Sequence, residues 1–512
     1  MLNATKLLAG ILVLVSTTIF LAFNSRVPAK IWLPNEAFVS ESFWKGKDNF
    51  NVEAPKFRIP YDLPGPADAG WSGSVRKSVT LHVEAQELAK FDKISIDVLE
   101  SHESAPPTIE IALNDKIFAK KTFNKGGGNP SHLWKKEGKK QKLVADLPQI
   151  QREYAGSQSI SITSTGGSWL AFEKIEMSSS QNLRSSPLYY LVFLASIIFG
   201  WSLKTPRSRV VLASLLIPIF AGSYFASPVL NKNLFYIFFE KDNGTAFVKS
   251  IADQIETSIA GDKSIRSKVQ AAQKYVSATA SPTANLPLYI WDQAYLFGLY
   301  GQAFCNDSAN FFLQIMSQYK IPGYMTYLKD SKGDSPHSVA FISIEDAGKP
   351  LKDSKNLFDQ GIVVDTYSDI IYQKKNGSYA RSAEICNSHD LKTKGQERFL
   401  PLYCNEPTFQ LSNKNWFPKN LSSTTLKFLN LPLILRKKLL IYAVGDSIVD
   451  DLQKKYLTGR MNQLFFEFEE ANRIFHDIRE MAPKSPWARF SDHSINQISK
   501  FRSKASNDSF VL

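Results

Sequence analysis

A thiol, an imidazole and a carboxylate follow one another at Cys305, His337 and Asp365, 32 and 28 residues apart. Together they could carry out nucleophilic acyl transfer. The thiolate attacks a carbonyl, the imidazole moves the proton, and the carboxylate fixes the imidazole's tautomer and orientation. The surroundings of each residue suit that role. Cys305 follows Gly301-Gln-Ala-Phe and opens a helical run over 306–319, with Ala309, Phe312, Leu313 and Met316 on one face. A helix N-terminus favours the thiolate, because its unpaired N–H groups carry partial positive charge. His337 begins the strand-like run His-Ser-Val-Ala-Phe-Ile-Ser-Ile, and Asp365 ends Gly-Ile-Val-Val-Asp. Adjacent antiparallel strands would bring those two side chains together. The backbone N–H of Cys305 is a natural oxyanion donor, with Gln302 or Trp291 as candidates for a second.

The chain has three cysteines, so one is left over in an oxidising compartment. Cys386 and Cys404 enclose 17 residues, a loop that a disulfide can close, and Cys305 is then the free thiol. Cys386-Asn-Ser-His389 with Cys404 also suggests zinc, but a structural site needs four ligands and no fourth lies nearby. The disulfide is the preferred reading, and no metal is expected. No phosphate-binding glycine loop is present, and no cofactor is expected.

The elements that must position the three residues read as an α+β domain. A helix over 264–277 places Ile265, Val269, Ala272 and Val276 at helical spacing. After the 306–319 helix come strand-like runs at 324–328, 338–344 and 361–364. Beyond about residue 445 the pattern is helical again, with Leu464, Phe468, Ala471 and Phe475 spaced for one buried face. From Gly301 and Cys305, through Ile321-Pro322-Gly323-Tyr324, to His337 and Asp365, the order resembles the transglutaminase-like (papain-related) cysteine-enzyme superfamily over about 250–370. The chain departs from that pattern in placing its glycine four residues before the cysteine, and Ser338-Val339 after the histidine. The resemblance implies a transglutaminase-like domain over 231–512 with a helical C-terminal extension. It also implies a Cys305–His337–Asp365 triad acting on an amide, as a hydrolase or an acyltransferase.

The N-terminal half reads as β. Runs at 78–83, 93–99, 108–113 and 157–163 are rich in Val, Ile and Thr, and Asn114-Asp115 marks a turn. An all-β sandwich over 26–182 follows, and its closing run at 168–177 resembles a galactose-binding-like jelly roll. Such sandwiches often bind carbohydrate, which makes Trp71, Trp134 and Trp169 candidate stacking platforms, although a core or loop position is the preferred reading for each.

Three uncharged runs, 7–23, 187–203 and 210–230, are each about long enough to cross a bilayer. They predict three transmembrane helices, the first of which a cleaved signal peptide would also explain. The basic link 204–209 orients them with both soluble domains outside the cytoplasm. The 426–444 run fails as a span because Arg436, Lys437 and Lys438 sit at its middle. Asn306-Asp-Ser308 would be a glycosylation sequon in a eukaryotic secretory protein, which favours a bacterial envelope. The expected location is therefore a multi-pass inner-membrane protein with periplasmic domains. The net charge of +13 is scattered among acidic and apolar residues, which argues against nucleic acid as a partner. The expected partners are a peptide or protein amide, cell-envelope polysaccharide and the lipid bilayer. The alternative function is a catalytically inactive scaffold in cell-surface polysaccharide assembly.

Overall fold

A computed structural model describes residues 30–32, 62–63, 65–68, 78–127, 140–149, 156–179, 235–241, 244–259, 262, 264–282, 295–303, 305–330, 337–343, 361–385, 391, 399–401 and 409–505. In chain order the strands are β1 (Lys30–Trp32), β2 (Asp62–Leu63), β3 (Ser78–Glu84), β4 (Lys93–Ser101), β5 (Thr108–Leu113), β6 (Lys116–Thr122), β7 (Gln141–Asp146), β8 (Ser157–Gly166) and β9 (Leu170–Ser178). They form two antiparallel sheets, β1-β9-β4-β7 with β2 on β9, and β3-β8-β5-β6. Their alternation explains how the sheets meet. Ile94, Ile96, Val98, Ile175 and Met177 of one sheet share a core with Val79, Leu81, Val83, Ile109, Ile111, Ile160 and Ile162 of the other. Asn114 and Asp115 both have positive φ, 47° and 67°, the conformation a two-residue hairpin requires.

Burial decides between the two readings of one tryptophan in this half, in favour of a core position. Trp169 is 1% exposed, with His102 packed edge-on against it, so it offers no face to a sugar. Trp71 and Trp134 lie outside the described residues.

The second half has one antiparallel sheet among helices. The helices used below are α1 (Thr245–Ser258), α2 (Ile265–Thr279), α3 (Tyr295–Tyr300), α4 (Cys305–Gln318), α5 (Ser423–Leu429), α6 (Leu433–Ser447), α7 (Asp451–Leu464), α8 (Phe468–Met481) and α9 (Pro486–Ala505). The strands are β10 (Ser281–Pro282), β11 (Gln302–Ala303), β12 (Gly323–Asp330), β13 (His337–Ser343), β14 (Gly361–Asp365), β15 (Ile370–Ile371), β16 (Phe399–Pro401) and β17 (Phe409–Ser412). The sheet runs β15-β14-β13-β12-β16, with β17 also pairing β12. Helix α4 is buried along its whole length after Cys305, polar residues included, rather than on one face only. It is packed on all sides, against β12 and β13 and against α1, α2 and α3.

The two halves meet at the start of α7. Val449 joins the sandwich core and donates its N–H to the Ile31 carbonyl at 3.0 Å. Asp450 caps α7, accepting from Gln453 N at 2.7 Å, and also accepts from His82 N on β3 at 3.2 Å. Replacing Asp450 with Ala removes a helix cap and an inter-domain bond at once. Urea unfolding should show a loss of about 1–2 kcal/mol, and no change in midpoint would contradict the bridging role.

The expected fold class with three membrane spans is corrected. Among the described residues no helix is long and apolar enough to cross a membrane. The longest, α9 with 20 residues, carries Arg489, Asp492, Lys500 and Arg502. Helix α6 has 15 residues, about 22 Å, short of a hydrocarbon core, with three consecutive basic residues inside it. The multi-pass inner-membrane assignment, with both soluble domains periplasmic, is withdrawn with it. The runs 7–23, 187–203 and 210–230 lie outside the described residues.

Candidate active site

Helix α3 ends at Tyr300 with a left-handed cap. Gly301 has φ 71° and donates its N–H to the Phe297 carbonyl at 2.8 Å. The glycine is also required by space, since a Cβ there would lie 2.1 Å from Cζ of Arg460. The chain then forms β11, parallel to β10, and Cys305 opens α4.

His337 and Asp365 come from neighbouring strands. Ala340 pairs with Val364 in the antiparallel register, which places Val339 opposite Asp365. His337, two residues before Val339, is on the same sheet face and diagonal to the acid. His337 Nε2 and Asp365 Oδ2 are 2.7 Å apart, and both residues are buried. The second carboxylate oxygen accepts from Ser368 N at 2.9 Å, which fixes the carboxyl plane. Tyr367 packs edge-on against the imidazole at 5.8 Å.

With Nε2 committed to the acid, Nδ1 is the ring nitrogen left for the thiol. Burial pushes the Cys305 thiol up, but a hydrogen bond and charge from His337, then the Ser338 backbone and hydroxyl, more than offset it and leave the pKa lowered. Burial pushes the His337 imidazole down, but hydrogen bonds and charges from Asp365 and Cys305 carry it up to about 10. The two shifts point the same way, to a thiolate facing an imidazolium. Cys305 is a free thiol of intermediate exposure, whereas its partners are shielded.

Several supporting residues carry no signal in the sequence reading. Ser308 on the first turn of α4 donates to Thr366 Oγ1 at 2.7 Å, fastening the nucleophile's helix to the turn after Asp365. From α2, Ser277 donates to the Thr366 carbonyl at 2.8 Å and Gln273 Nε2 to Asp369 Oδ1 at 2.7 Å. Ser338 stands out in the sequence only as a departure from a pattern, yet its backbone and hydroxyl both favour the thiolate. A residue following the base on a strand next to a helix start is a signal that could have pointed to it.

Of the other expected residues, Gln302 lies on β11, but its side chain is outside the described residues, as are Trp291 and the Cys386–Cys404 pair. Among the described residues no group of three or more His, Cys, Asp or Glu side chains could hold a metal. Compared with protein-family models, curated proteins and solved structures, the chain matches none.

Proposed function

We propose that the chain is a cysteine acyl-transfer enzyme of transglutaminase-like type, acting on an amide of a peptide or envelope polymer. The observation that carries this reading is the 2.7 Å His337–Asp365 contact, combined with a neighbouring thiol drawn down and an imidazole drawn up.

The Cys305 sulfur attacks the amide carbon, forming a C–S bond while the carbonyl electrons move to oxygen. The N–H of Cys305 at the start of α4 faces the charge that develops there. As the tetrahedral species collapses, the C–N bond breaks and His337 gives its proton to the departing amine, leaving a thioester. Neutral His337 then takes a proton from water, or from an acceptor amine, as that nucleophile attacks the thioester carbon. The C–S bond breaks, the thiolate returns and His337 is again protonated. Asp365 keeps its hydrogen bond with Nε2 throughout and steadies the imidazolium. Water gives hydrolysis and an amine gives crosslinking, with the same first half.

The test is an activated acyl donor, such as a nitrophenyl ester of a short acyl-peptide, added to the full chain at neutral pH. Intact mass should rise by one acyl group, mapped to Cys305, with none on a Cys305→Ser variant. Unchanged mass, or acylation equally fast in a His337→Ala variant, would overturn the reading.

A further inference from the structure

Helix α5 packs on α1 and helix α6 on α1, α7 and β1, with Leu433, Leu439, Ile441 and Tyr442 partly buried against the same core. Phe428 of α5 packs against Phe238 with ring centroids 4.0 Å apart. On α6, Leu440, Ala443 and Val444 are fully buried, and Arg436 pairs with Asp253 at 2.7 Å. The opposite side turns apolar residues outward. Leu426 is 50% exposed, Ile434 63% and Leu435 46%, half of the large hydrophobics that stand exposed among the described residues. Soluble proteins seldom cluster such residues on their surface without a use for them.

The charges of this segment are mainly basic. Residues 409–447 contain Lys414, Lys419, Lys427, Arg436, Lys437 and Lys438, and their single acid is Asp446 in the last turn of α6. Arg436 and Lys437 are engaged by Asp253 and Glu467. Lys419, Lys427 and Lys438 remain exposed, the last two on α5 and α6 themselves. Ile434 and Lys438 are four residues apart on α6 and share a helix face, and Lys427 follows Leu426 directly.

We propose that the Leu426–Leu435 ridge docks on an anionic lipid surface, lying in the interface without spanning it. Aliphatic side chains enter the headgroup boundary, while the flanking lysines extend their ammonium groups to lipid phosphates. The composition separates this partner from a protein. Protein interfaces centre on aromatic and arginine anchors and are depleted of lysine, and the exposed ridge is built the other way. The short α6 with its three central basic residues fits an interfacial helix and not a crossing one.

The test is hydrogen–deuterium exchange of the full chain, read at 423–439, with vesicles of phosphatidylcholine alone or mixed with phosphatidylglycerol. Exchange should slow at least about tenfold on the mixed vesicles and recover in high salt. Leu426→Ser/Ile434→Ser/Leu435→Ser should abolish the protection. If that variant misfolds, Lys427→Glu/Lys438→Glu carries the test, because it leaves the apolar packing alone and should remove the preference for anionic lipid. The proposal is overturned by unchanged exchange, or by equal protection on neutral vesicles. It also fails if protection grows with protein concentration without lipid, which indicates a second copy, or is already complete without lipid, which indicates cover by 210–230.

Discussion

A His337→Ala variant should alkylate at Cys305 at least about tenfold more slowly at pH 7 than the parent chain. The midpoint of the alkylation–pH curve should rise from below the ordinary thiol range to above it. The sign follows from the balance at the sulfur. Burial raises the thiol pKa, and the first two opposing influences are the hydrogen bond and charge of His337. Without the imidazole, only Ser338 and the helix start are left to oppose burial. The acyl-transfer rate should fall further than alkylation, by about 10²–10⁴, because the same residue must also protonate the leaving group. Asp365→Asn belongs between the parent and His337→Ala. It leaves the ring in place but removes the charge and the charged hydrogen bond that lift the imidazole to about 10. Less imidazolium then faces the sulfur at neutral pH, and the thiol midpoint rises by a smaller amount. Iodoacetamide kinetics between pH 5 and 10, with the site read by peptide mass, measure all three. Superimposable curves for parent and His337→Ala would remove the ion pair from the account.

How far the sequence leads depends on which atoms do the work. Cys305, His337 and Asp365 stand at element boundaries, where turn residues and apolar runs mark helix and strand ends, so their neighbourhood is readable. The helix behind Cys305 is only half readable. Periodicity picks out Ala309, Phe312, Leu313 and Met316, yet Asn306, Asn310, Gln314 and Ser317 are buried as well, because tertiary packing surrounds the helix. Strand β7 escapes detection because Val144 points outward at 57% exposure and only Leu143 is fully inside. The run from Leu464 to Phe475 looks like one continuous helix, but it breaks between α7 and α8 where Phe466 takes φ 62°. No glycine or proline announces that break. It is held by rings, Phe466 stacking with Phe501 and meeting Tyr275 edge-on. The membrane spans have a different basis, runs of uncharged residues alone, and the described helices contain none of that kind.

Arg460 is the clearest case of what sequence patterns cannot carry, and it sets the second large effect. Its guanidinium is buried, and burial pulls its pKa below the usual value. Its partners are chiefly main-chain carbonyls. Nη2 donates to Thr279 O at 2.6 Å and Gly298 O at 2.9 Å, with Nη1 on the Gln463 side-chain carbonyl. Thr279 ends α2 and Gly298 lies in the last turn of α3, so the cation sits where two helices present partial negative charge. Any residue supplies a carbonyl, which is why no motif betrays the site. Arg460→Met orphans both carbonyls and should cost about 3–5 kcal/mol in urea unfolding. Gly301→Ala attacks the same junction from the other side. Its Cβ would fall 2.1 Å from Arg460 Cζ, on a backbone at φ 71° that disfavours side chains. Because Gly301 is four residues before Cys305, the shift should also slow alkylation of the thiol. The pair must then be strongly non-additive. Removing the guanidinium in Arg460→Met vacates the space that the new Cβ of Gly301→Ala needs. The double variant should therefore be less destabilised than the sum of its parts by at least about 1 kcal/mol. Strict additivity would mean that the guanidinium and the glycine turn do not share one space, and the Cys305 junction would need another explanation.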